Sequence, residues 1–127
     1  MDAATLQARL NVARSFEHAI GHITFRCRLI PELLVAGIYS RHNGSHVDAA
    51  RDLLAATVLG VRGATTEDLY LDGKEAIEDS KDAAIMLLDD RQDLAIELAA
   101  EIAFRVAGRN KSIEADTKNS LSGSATT

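Results

Sequence analysis

Apolar residues recur at steps of three and four over two long stretches of this 127-residue chain, and this period limits the fold more than any single motif does. The first stretch takes in Leu6, Leu10, Ala13, Phe16, Ile20, Ile23, Cys27 and Ile30. The second takes in Ile77, Ala84, Leu88, Ala95, Leu98, Ile102 and Val106, widened by Ile85, Leu87 and Leu94. Each draws one stripe down a helix, so each predicts a long amphipathic helix facing a core.

Local signals place the ends. Asp2 or Thr5 offers a side-chain oxygen to the first turn of the first helix. Pro31, which lacks an amide hydrogen, opens the next, continued by Leu33, Leu34, Gly37, Ile38 and Arg41. Asn43-Gly44 stops that helix, and Ser45 with Asp48 starts another over Val47, Ala50, Leu54 and Val58. Thr65 or Thr66 begins a short turn through Tyr70, and Asp72-Gly73 marks a further one. No Gly or Pro interrupts the last stripe. Although Asp90 could cap a turn, one long, bent helix is expected from Glu75 to Ala107, ended by Gly108.

A strand competes with the helix at Ile23 to Leu29, where Ile23, Phe25, Cys27 and Leu29 alternate with Thr24, Arg26 and Arg28 and Gly21 offers a break before them. Helix is preferred, because a strand without a second alternating run leaves its backbone groups unpaired. Composition points the same way. The chain has 21 Ala and 15 Leu against five aromatics and one Pro, a mixture that favours helices over strands. The expected fold is therefore all-α. Residues 1–108 form a bundle of four or five helices, with the long first and last ones antiparallel, and residues 109–127 form a disordered, flexible tail too polar to bury.

One cysteine, Cys27, excludes an internal disulfide and a thiolate zinc site, and reads as a buried thiol. With no basic and apolar leader and no run long enough to span a bilayer, a cytoplasmic, membrane-free protein is expected. The net charge of −5 is unevenly divided: residues 1–62 carry +2 and residues 63–127 carry −7. Between Glu67 and Glu101 stand twelve carboxylates against Lys74, Lys81 and Arg91. Such a segment repels a phosphate backbone, so nucleic-acid binding through it is disfavoured.

Asp89, Asp93, Glu97 and Glu101 repeat at four-residue steps and predict a ridge of carboxylates on the last helix. The ridge is the candidate interaction surface. It suits a basic protein partner, or the Arg9, Arg14, Arg26 and Arg28 side of this chain or of a second copy. His18 and His22, and His42 and His46, are also four apart, a spacing at which two imidazoles on one helical face bind a metal. The zincin pattern needs Glu after the first His, and here Glu17 precedes His18.

The segment from Ala56 through Gly60, Val61 and Thr65 to Leu69 resembles the core of helix-turn-helix DNA-binding families. The resemblance implies two helices across a tight turn and a DNA-reading second helix. It departs from the family at Thr66, where an apolar residue is usual, at Gly63, and at Glu67 and Asp68, which put carboxylates on the reading helix.

No catalytic motif or cofactor signature is present, and no catalytic, cofactor or metal residue is assigned. The expected function is a non-enzymatic protein-protein interaction or regulatory module acting through a helical, largely acidic surface. Self-association as a homodimer is compatible with it. The alternatives are a small helix-turn-helix-like DNA-binding regulator and a metal-binding bundle using His18 and His22.

Overall fold

The computed structural model describes residues 1–43 and 45–126, with side chains as far as Arg109. In order, the elements are α1 (Ala3–Arg14), β1 (Ser15–Ile20), β2 (Ile23–Arg28), α2 (Glu32–Arg41), α3 (His46–Thr57), β3 (Val58–Arg62), a 3-10 turn (Thr66–Leu69), α4 (Lys81–Asp90) and α5 (Gln92–Thr126). The three strands form one antiparallel sheet in the order β1-β2-β3. The chain is mixed α/β, which corrects the all-α helical bundle expected from the periodicity.

The reason lies in the first stripe. Its apolar residues divide among three elements: Leu6, Leu10 and Ala13 stay on α1, Phe16 and Ile20 fall on β1, and Ile23 and Cys27 fall on β2. Gly21, at φ +62°, supplies the left-handed residue of a two-residue turn, and Ile20 then pairs with Ile23, His18 with Phe25 and Phe16 with Cys27. The missing partner for the alternating run is thus the segment directly before it, with β3 as a second one on its other side. A bulge between Arg26 and Cys27 sets Arg26 opposite Gly60 and Cys27 opposite Val58.

One face of the sheet builds the core. Ile23, Phe25 and Cys27 from β2 and Val58 and Val61 from β3 are buried against Ala84, Leu87 and Leu88 of α4 and Leu94, Leu98 and Ile102 of α5. α3 completes the layer with Ala49, Leu53, Leu54 and Thr57. The opposite face carries Thr24, Arg26 and Arg28. Residues 63–80 return toward that face, and the Asp79 carboxylate takes bonds from Arg26 Nε and Nη2 at 2.9 to 3.1 Å. Gly60 lies beneath this pair, where a β-carbon would meet the tips of both side chains.

The second stripe is also divided. Residues 75–80 are not helical: Ile77 N–H bonds to Ala64 O, and Thr65 pairs with Ala76. The single long helix expected from Glu75 to Ala107 is instead α4 and α5, separated at Arg91, whose φ of −120° and ψ of 87° leave the helical region. α5 passes through Gly108 without ending there. The tail expected at 109–127 falls almost wholly beyond the described side chains.

Several local expectations hold. Asp2 caps α1 by accepting from Thr5 N–H at 2.8 Å, Pro31 opens α2, and Ser45 precedes α3. Gly73 takes φ +84° in the turn foreseen at Asp72-Gly73. Among the described residues no helix is long and apolar enough to cross a membrane.

Candidate functional site

An open cavity of about 550 Å3 lies between α3, α4 and α5. α3 presents Val47, Ala50 and Leu54 at the spacing of one helical face, flanked by His46 and Arg51. α4 contributes Ile85 and Leu88, and α5 contributes Ala95, Ile96 and Ala99. Each of these helices is apolar over more than one stripe. α5 buries Leu94, Leu98 and Ile102 in the core, so Ile96 remains on the groove at 61% exposure. Val47, expected on the apolar face of its helix, is 81% exposed at the groove margin.

The polar side chains that line the groove are His46, Arg51, Asp89 and Gln92. Arg51 donates to both Asp89 oxygens at 3.0 and 3.3 Å, tying α3 to α4. This pairing raises the Arg51 pKa. Alanines at positions 50, 95 and 99 line the groove with short side chains that leave room for another backbone to approach closely.

The four predicted ridge carboxylates do not form one continuous row. Asp89 lies on α4 and pairs with Arg51; Asp93, Glu97 and Glu101 lie on α5, beyond the Arg91 break. Arg91 Nε and Nη2 donate to Asp93 at 3.0 and 2.8 Å and hold its carboxyl below the usual range. Glu101 accepts from Arg105 Nε at 2.9 Å, and that guanidinium covers the Phe16 ring at 4.1 Å. Glu97 stands 3.9 Å from His18 Nε2.

The histidines separate as well. His18 is on β1, facing α5, while His22 is in the β1–β2 turn and meets Asp68. His42 Nε2 is 2.7 Å from Asp52, and His46 edges against Tyr39. Among the described residues no three His, Cys, Asp or Glu side chains gather as a metal set.

Beside the C-terminal end of α4 a second polar cluster closes around Asp68. Its carboxylate accepts from His22 Nε2 at 2.9 and 3.0 Å and from Thr65 N–H at 2.9 Å, while Arg91 Nη1 donates to its backbone carbonyl. Burial pushes the Asp68 carboxyl up, but the Thr65 and His22 bonds and the charges of His22 and Arg91 outweigh it, and its pKa is lowered. The only sequence sign of this cluster was the capping pair Thr65 and Asp68, three apart.

The segment with the helix-turn-helix resemblance, Ala56 to Leu69, spans the end of α3, all of β3 and the 3-10 turn. It therefore lacks the two helices that the resemblance implies. Cys27 is buried on the core face of β2, and burial pushes its thiol up to about 12.

Comparison of the chain with models of known protein families, with curated proteins and with solved structures finds no match in any of the three.

Proposed function

We propose that the chain is a non-enzymatic protein-protein interaction module, regulatory in effect, which receives an amphipathic helix of a partner protein in the groove between α3, α4 and α5. The observation that carries this reading is the groove itself, an apolar trough of about 550 Å3 with Val47 and Ile96 left exposed on it. Exposed apolar side chains are ordinary singly, but gathered on a concave surface they mark an interaction site. A mostly apolar trough walled by three helices has the shape that helix-in-groove recognition uses.

Charge supports a basic helix as the occupant. From Lys81 to Glu101 the chain carries six carboxylates and two cations; in the groove lining itself Asp89 is paired with Arg51, so this charge acts as a regional attraction for a Lys- or Arg-bearing helix and not as a contact in the trough. A cytoplasmic setting suits the lone, buried Cys27.

A fluorescein-labelled basic helical peptide with leucines at i, i+3, i+4 and i+7, titrated by anisotropy, tests this reading. Saturable binding that weakens with salt and is lost in Ile96→Lys is expected. Phe104→Lys, exposed on α5 away from the groove, should bind as the unaltered chain does. Absence of saturation with the unaltered chain overturns the reading.

A further inference from the structure

The geometry points to an exchange of α5 between two copies of this chain, through a hinge at Arg91 that straightens α4 and α5 into one helix. Arg91 alone separates the two helices, and the helical bonding is regular on either side of it: Arg91 N–H donates to Leu87 O at 2.9 Å, and Ala95 N–H to Arg91 O at 3.1 Å. No Gly or Pro lies between Ser80 and Gly108. The buried residues of both helices, Ala84, Leu87, Leu88, Leu94, Leu98 and Ile102, fall on one stripe of a single straight helix. The straight form also makes the bonds from Gln92, Asp93 and Leu94 N–H to Leu88, Asp89 and Asp90 O that the break leaves unmade.

A lone copy cannot straighten. Leu94, Leu98 and Ile102 are buried in the core, and lifting α5 away would bare them to water. Two copies can, because the α5 that leaves one takes the vacated place in the other. Its contacts there are those it makes within one copy: the same core residues, Arg105 over Phe16 and Glu97 beside His18. Only the hinge changes, and a short connection of this kind is where chains exchange an identical element. α5 lines the groove whichever copy supplies it, so the exchange leaves the groove reading as it stands.

The Arg91 side chain holds the bent form. Its fork to Asp93 at 3.0 and 2.8 Å joins residues two apart, which point to different sides of a helix, so this pair exists only while the break does. Its bond to Asp68 O ties the hinge to the 3-10 turn. Exchange gives up the fork in both copies and also the free motion of two separate chains. The single copy therefore prevails when dilute and the exchanged dimer when concentrated.

Refolding from urea at about 1 mM and at about 10 µM, followed by gel filtration at one common dilution, tests this. The unaltered chain should give a dimer only from the concentrated refolding, and Arg91→Ala should reach the same dimer fraction at a concentration at least about tenfold lower. Gln92→Pro is the decisive variant. Proline suits the first position of α5, and Arg91 before it already lies at φ −120° and ψ 87°, outside the helical region that a following proline disfavours. In a straight helix the same ring collides with Leu88 O, so Gln92→Pro should fold and stay monomeric. Spin labels at Met86→Cys and Phe104→Cys, both exposed while Cys27 is buried, report the hinge directly in samples diluted with unlabelled chain. They should stand about 27 Å apart in the dimer, the rise of a straight helix over that interval, and closer in the monomer. An unaltered chain that stays monomeric overturns the exchange, as does a dimer formed equally by Gln92→Pro, a dimer whose labels keep the monomer distance, or a folded Arg91→Ala chain no more prone to dimerise.

Discussion

Arg91 donates from Nη1 to the backbone carbonyl of Asp68 at 3.0 Å, binding the break between α4 and α5 to the 3-10 turn. The Asp68 carboxylate in turn holds His22, and the remaining Arg91 nitrogens hold Asp93. A single bonded path thus runs from the β1–β2 turn to the start of α5, and the Arg91 guanidinium also stands 5.5 Å from the Tyr70 ring.

Replacing Arg91 by Ala should therefore destabilise the fold by about 1–3 kcal/mol, the range for losing charge-assisted bonds at a half-buried site. Arg91→Lys should recover little, because one ammonium cannot fork to Asp93 and reach Asp68 O together. Asp93→Asn, which breaks only the exposed part of the path, should lie within about 1 kcal/mol of the unaltered chain. Urea midpoints order the three variants.

The lowered pKa of Asp68 fixes a pH dependence. A carboxyl more acidic when folded than when unfolded adds stability that is complete above its unfolded pKa, about 4. That stability is lost as pH falls from there through the folded value. Urea midpoints between about pH 6 and 3 should decline at the acid end, and Asp68→Asn should be less stable near neutrality but flatter with pH. An equal acid decline in Asp68→Asn would assign the effect to other carboxyls.

Two glycines should respond differently to alanine. Gly63 holds φ +81°, and a β-carbon there would strike the backbone carbonyl of His22. Gly63→Ala should cost about 1–3 kcal/mol and disturb the β1–β2 turn. At Gly60 the obstructing atoms are the movable tips of Arg26 and Asp79. Gly60→Ala should displace that surface pair for less than about 1 kcal/mol. Thermal melts of both variants, with the Arg26 side-chain NMR signal as a local reporter, check the contrast.

Cys27 should be inert toward an aromatic disulfide reagent in the native state, since it is 1% exposed and its thiol is pushed up to about 12. The labelling rate should rise with urea in step with global unfolding. Labelling without denaturant at the rate of a free thiol would contradict its burial.

The parts of this fold legible in the sequence are those set by neighbouring residues: the Asp2 cap, the Pro31 start and the turn at Gly73. The sheet was hidden because β1 reads Ser-Phe-Glu-His-Ala-Ile, and Phe16 and Ile20 fit a helical step as well as a strand face. β3 is short, contains Gly60 and follows α3 without a polar gap, so its apolar residues extend the helical pattern of Leu53 and Leu54. The break at Arg91 carries no local signal, since the bond from Arg91 to Asp68 spans 23 residues. The candidate groove is assembled from three helices. The apolar pattern placed Val47 on a buried face and left Ile96 out, whereas both stay exposed on the groove.

The two neighbours of β2 reach it by routes of very different length. β1 is joined to it by Gly21 and His22 alone, whereas β3 arrives only after residues 29–57, which include α2 and α3. Closing the short turn takes microseconds, while bringing β3 alongside requires a long loop to shut first, with an entropic penalty that grows with its length. The sheet thus has an order in time as well as in space: the hairpin is early, β3 is late, and the speed at which the chain folds is set by the second of these events.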